Sequence, residues 1–216
     1  MIAADSQIGT RAPRTRAGLR LMWLHVVSRR IPAAVVALVA CGAVLHVALA
    51  WRWEPRTGSG ALEIPVLFEA GTAAVIAVTS YSPFGEAERA TARWLPWLRL
   101  GTVVAMTAVA IGLLAAGAAS AADGLTGGIL GLVRDAAGMT GIGLLSAAVL
   151  GGMLAWAGPI AYLMVTEVAL LQAWTTPWTW AARPPDDEGA AICAGAAFMA
   201  GLVVIAVRGP RDSVNG

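Results

Sequence analysis

Apolar residues run through this chain in long unbroken stretches, and the charges collect between them. The stretch from Leu100 to Ala122 contains no charged residue at all. About 20 apolar residues in a helix cross the hydrocarbon core of a bilayer. The pattern predicts six such crossings: about 32–51, 61–81, 100–122, 136–156, 160–175 and 190–207. A short segment over 129–135 reads as half-inserted, and Gly158-Pro159 reads as a tight turn joining the fourth and fifth crossings. Between the second and third crossings lies a polar connection with helical character, residues 82–94. Ahead of the first crossing, Leu19, Met22, Trp23 and Val26 fall on one helical face, with arginines away from its centre and at its end. That spacing predicts an amphipathic helix over 15–30 lying in the lipid headgroups.

The expected fold class is therefore all-α. The chain reads as a polytopic integral membrane protein with a flexible tail over 1–14, an interfacial helix over 15–30, a membrane domain over 31–207 and a tail over 208–216. The apolar run that begins at Ile31 starts late and is long, unlike a cleaved signal peptide. Backbone groups inside lipid must bond within the protein, which favours helices. The alternating pattern of a membrane barrel is not what the runs show.

Composition agrees and removes several chemistries. Hydrophobic residues make up 58% of the 216 residues and charged residues 13%, where a soluble domain carries about 25% charge. Mean hydropathy is +0.71. All 15 basic side chains are arginine. Without lysine there is no P-loop of the usual kind and no lysine Schiff base. Cys41 and Cys193 each lie in an apolar run and read as small fillers, and His25 and His46 have no third soft ligand nearby, so no metal or other cofactor is expected. A net charge of +2 gives no reason to expect nucleic acid.

Placement of the arginines sets the orientation. Arg11, Arg14, Arg16, Arg20, Arg29 and Arg30 precede the first crossing, Arg89, Arg93 and Arg99 surround the second connection, and Arg208 and Arg211 follow the last. Six crossings put all of these on one side, and the positive-inside rule makes that side cytoplasmic, with both termini inside. Trp94, Trp97 and Trp156 would mark the inner interface, and Trp51, Trp53, Trp174 and Trp178 the outer one.

The inner connection carries the most specific pattern. Ser82 and Pro83 suit a helix start, Glu86 and Glu88 follow near the N-terminal end, and Arg89 and Arg93 lie towards the C-terminal end. That order complements a helix dipole and gives a rigid charged helix suited to docking a soluble partner. A solvated loop helix without a partner has the same pattern. Elsewhere, Glu69 and Glu167 are acids deep in crossings. Each is either a pathway or proton-linked group or a neutral acid bonded between helices. Arg134 and Asp135 are expected to pair locally at the mouth of the fourth crossing, and His46 to bond between helices. Small residues at Gly127 and Gly131, Ala191 and Gly195, and Ala197 and Gly201 permit close helix packing.

With the helix at 15–30, the connection from Ser82 to Arg93 and the stretch from Leu132 to Leu150, the chain resembles the membrane-spanning subunits of ABC-2 type exporters. The resemblance implies a permease without an ATPase site of its own, working with a separate ATP-binding cassette subunit and a second permease subunit. Glu86, Glu88, Arg89 and Arg93 would form the coupling helix that receives the ATPase's stroke. The cargo would be hydrophobic or amphipathic, such as a natural product, peptide or lipid, and the location a bacterial cytoplasmic membrane. Two other readings remain open: a proton-coupled secondary transporter using Glu167 or Glu69, and a non-transporting membrane adaptor or immunity protein.

Overall fold

In the computed structural model, residues 31–51, 64–80, 95–119 and 128–208 are described, and among them all regular structure is helical. The interfacial helix expected over 15–30 and the coupling helix with Glu86, Glu88, Arg89 and Arg93 lie outside the described residues. Six helices follow in order: α1 Ile31–Ala50, α2 Ile64–Thr79, α3 Leu95–Ala119, α4 Gly128–Leu150, α5 Ala157–Leu171 and α6 Glu188–Arg208. Single 3-10 turns occupy Gly152–Leu154 and Trp180–Ala182. Among the described residues five segments are long and apolar enough to cross a membrane, the fourth counting the first 3-10 turn together with α5. The 16 residues of α2 extend only about 24 Å at 1.5 Å per residue. Exposed apolar side chains on α1 and α6, among them Val36, Val39, Ile192, Met199 and Val203, are suited to lipid rather than water. The chain is an all-α, membrane-embedded protein.

Packing fixes the direction of each helix. One cluster joins Ala34 and Leu38 near the start of α1, Ile76 and Ala77 at the end of α2, Val103 and Met106 near the start of α3, Leu144 and Ala147 near the end of α4, and Leu202 and Ile205 near the end of α6. A second joins the opposite ends: Leu45 of α1, Leu114 of α3 and Leu132 of α4, with Ile64 and Phe68 of α2 against them. Successive helices therefore alternate in direction. The chain leaves α2, enters α3, begins α1 and finishes α6 at one end of the bundle, called here the first end.

Helix α4 is the centre. Of its apolar span 61% is buried, against 28% for α1 and for α6. It packs most extensively on α6 and then on α2. Glycine makes the α4–α6 contact possible. A Cβ on Gly141 would collide with the backbone of Ala197 and Phe198, and one on Gly201 would sit 2.7 Å from the Gly141 carbonyl oxygen. Of the small pairs read from the sequence, Ala197 and Gly201 are thus used inside the chain, whereas the Cβ site of Gly195 faces open space. Threonines buried along the helices return their hydroxyls to their own backbone, as Thr107 does to Val103 and Thr140 to Ala136, which satisfies a polar group in an apolar setting.

Three expectations change. The 129–135 segment is not half-inserted: it is the first two turns of α4, which runs unbroken to Leu150. The turn that follows is not at Gly158-Pro159. It falls at Gly151, whose φ of 91° belongs to glycine's permitted region. Gly158 and Pro159 begin α5 instead, where a proline costs little because first-turn N–H groups have no intrahelical acceptor. The third helix starts at Leu95 rather than at Leu100.

Candidate functional site

Helix α5 stops early, and the chain that follows crosses the end of the bundle. At 15 residues it extends about 22 Å, short of the roughly 30 Å of a hydrocarbon core. It ends in a Schellman arrangement. The Trp174 N–H reaches the Ala169 carbonyl at 2.9 Å and the Ala173 N–H reaches Leu170 at 3.3 Å, with Ala173 left-handed at φ 51°. Residues 172–187 then run across the second end of the bundle, with Thr179 and Trp180 buried and the rest exposed or half-buried. Trp174 and Trp178 remain towards its outside, their rings 5.9 Å apart. Trp180, two residues further, is 4% exposed and packs among Val66, Ala70 and Ala73 of α2, Met139 of α4, Tyr162 and Leu163 of α5 and Ala190 and Ala194 of α6.

Gly138 shows how deep the indole goes. A Cβ there would lie 2.7 Å from Cε2 and Cζ2 of Trp180. Gly138 lies ten residues beyond Gly128, the start of α4, so the indole lies about 15 Å along that helix. Four helices surround the indole, whereas of residues 172–187 only Thr179 and Trp180 are buried.

Polar groups fasten it in place. Arg134, on the second turn of α4, is buried. Its Nε donates to Asp135 Oδ1 at 2.8 Å, its Nη1 to the Pro184 carbonyl at 2.6 Å and its Nη2 to the Arg183 carbonyl at 3.1 Å. The Arg134–Asp135 pair expected from the sequence forms, and it also grips a segment fifty residues away. The Tyr162 hydroxyl donates to the Trp178 carbonyl at 3.2 Å and accepts from the Ala181 N–H at 3.4 Å, while the ring stacks on Trp180 at 4.5 Å. At the far end Arg183 pairs with Asp187 at 2.6 Å, and Asp187 Oδ1 accepts from the Ala190 N–H at 3.0 Å. Asp187 therefore caps α6. The Ala190 N–H first, and then the Arg183 guanidinium, hold its carboxyl below the usual value.

Glu69 is buried at 2% exposure on α2, on the same helical face as Val66, Ala70 and Ala73, which line the seat of Trp180. Glu167 is half-buried on α5. Each is engaged by neighbouring groups. His46 is exposed on α1 and is engaged by a neighbouring group. Cys41 and Cys193 are free and half-buried. Among the described residues no cluster of His, Cys, Asp and Glu could hold a metal ion. At the first end, Thr79, Ser80, Arg99, Thr102 and Met106 line a small cleft between α2, α3 and α6.

Tyr162, Trp180 and Gly138 were not singled out as site residues from the sequence. The available signal was Trp180-Ala181-Ala182, an apolar run inside an otherwise polar loop. Asp187 carried a second one, a cap three residues ahead of the Ala190 N–H that it accepts.

No protein-family model, curated protein or solved structure matches this chain.

Proposed function

We propose that this chain is the membrane-spanning permease subunit of an ATP-driven exporter of the ABC-2 type, forming a path for a hydrophobic or amphipathic cargo beside a second permease subunit. One observation carries the reading. The chain leaves α2 at Ser80 and enters α3 at Leu95 on the same end of the bundle where α1 begins and α6 finishes. In sequence, Glu86, Glu88, Arg89 and Arg93 join two helix ends that lie at the end of the bundle carrying Arg99 and Arg208. The positive-inside rule makes that end cytoplasmic, with both termini inside and a bacterial cytoplasmic membrane as the location. A cytoplasmic ATPase subunit would meet the connection there. The missing lysine agrees with an engine on another chain.

Purification in mild detergent followed by mass spectrometry of what accompanies the chain tests this directly. An ATP-binding cassette subunit is expected, and reversing the charges of Glu86, Glu88, Arg89 and Arg93 together should release it. Recovery of the chain without any ATPase would remove the exporter reading.

The burial of Glu69 favours a second reading, a proton-coupled carrier. Uptake into vesicles that collapses with the proton gradient and ignores ATP would establish it. An adaptor or immunity protein would move nothing in either assay.

A further inference from the structure

The geometry points to residues 172–187 as a gate: a loop across the second end of the bundle, plugged into it by Trp180, latched by Arg134 and able to withdraw as a unit. Its two ends are well-defined pivots, the left-handed Ala173 and the capping Asp187. Between them Arg134 holds the carbonyls of Arg183 and Pro184, and Tyr162 holds Trp178 and Ala181. Both hold backbone groups, which water can satisfy equally well once the segment leaves. The seat itself is lined largely by small residues, Gly138, Ala70, Ala73, Ala190 and Ala194.

One group opposes docking. The indole N–H of Trp180 is buried with no acceptor among the described residues. An unmet buried donor penalises the docked form and is relieved in the withdrawn one. Local opening draws on segments whose closed form is only weakly favoured, and this segment combines a strong apolar anchor with that uncompensated donor. Withdrawal of Trp180 would leave an indole-sized opening between α2, α4, α5 and α6, with Glu69 on its α2 side. The inference rests on α4 and the α5–α6 connection, not on the exporter reading, since a carrier would use the same gate.

The test follows a thiol behind the gate. Ala194, 1% exposed and in the cluster with Trp180, is replaced by cysteine in the full chain carrying Cys41→Ser and Cys193→Ala. Its reaction with a water-soluble maleimide in lipid nanodiscs is followed at that site by mass spectrometry. Slow labelling is expected, becoming about tenfold faster with Arg134→Gln and several-fold faster with the milder Tyr162→Phe. A lock supplies the decisive arm. A Cβ on Gly131 would lie 3.5 Å from Cβ of Pro185, within the range a disulfide bridges. The pair Gly131→Cys with Pro185→Cys, once oxidised, should reduce labelling at 194 to background, and reduction should restore it. Labelling at 194 that is indifferent to the lock, or absent in the parent, Arg134→Gln and Tyr162→Phe alike, overturns the gate. The assay contains no ATP and no partner subunit, so its failure is separate from failure of the exporter reading.

Discussion

Trp180 occupies the notch that Gly138 leaves in α4: a Cβ at residue 138 would lie 2.7 Å from the carbons of the indole edge. Helix α4 thus lacks a side chain at the level where the returning segment needs room. Gly138→Ala should therefore either displace Trp180 or strain the helix, lowering stability by about 1–3 kcal/mol as overpacked cores do. Gly195→Ala, where nothing lies within 4 Å, should be neutral or raise stability by up to about 1 kcal/mol through helix propensity. Thermal unfolding in detergent, with both variants side by side, separates packing from propensity.

Arg134 and Asp135 form a buried ion pair. Truncating one partner leaves the other charge in an apolar setting, so Arg134→Ala should cost about 3–5 kcal/mol. Arg134→Ala with Asp135→Ala should cost less than Arg134→Ala alone, because the carboxylate that loses its guanidinium is removed as well. A double-mutant cycle of unfolding free energies checks the sign of that difference.

Ala173 stands where a helix C-terminus calls for a left-handed residue. Glycine adopts that conformation without the roughly 1–2 kcal/mol cost of an L side chain, although it also loses more freedom on folding. Ala173→Gly should stabilise the chain modestly, and the β-branched Ala173→Val should destabilise it. Melting temperatures of the two, compared with the parent, should fall on opposite sides of it.

Asp187 links folding to pH. Its folded carboxyl titrates below the free value of 3.8 because the Ala190 N–H and Arg183 favour its ionised form. The resulting stability is fully present above pH 3.8 and is lost as pH falls through the lower folded value. Asp187→Asn keeps a capping oxygen but removes this titration. Its melting temperature should be lower than the parent's at pH 7, and the gap should narrow towards pH 3.

The crossings were legible in the sequence because lipid leaves so few alternatives. Length and apolar content place α1, α2, α3 and α6 close to where they lie. Helices α4 and α5 were misjudged at their junction for two reasons. Arg134-Asp135 looked like an interruption because its partners, the carbonyls of Arg183 and Pro184, lie fifty residues away, and no local pattern announces them. Gly158-Pro159 looked like a turn because proline breaks helix interiors, yet in the first turn it fits; the true break needed the positive φ of Gly151. The seat of Trp180 was hidden for a similar reason. Trp178 and Trp180 are alike as letters, and only the space beside Gly138 distinguishes the one at the surface from the one inside.

The burial of Trp180 also orders the birth of the protein. Walls for its seat come from α2, α4, α5 and α6, and α6 is the last of these four to emerge during synthesis. Until it arrives, the pocket of the indole lacks the wall that Ala190 and Ala194 supply, so Trp180 settles only once α6 is in place. A nascent chain stopped before residue 188 would already carry Arg134, Asp135 and the carbonyls of Arg183 and Pro184, yet the indole of Trp180 would lack the side of its pocket that Ala190 and Ala194 supply.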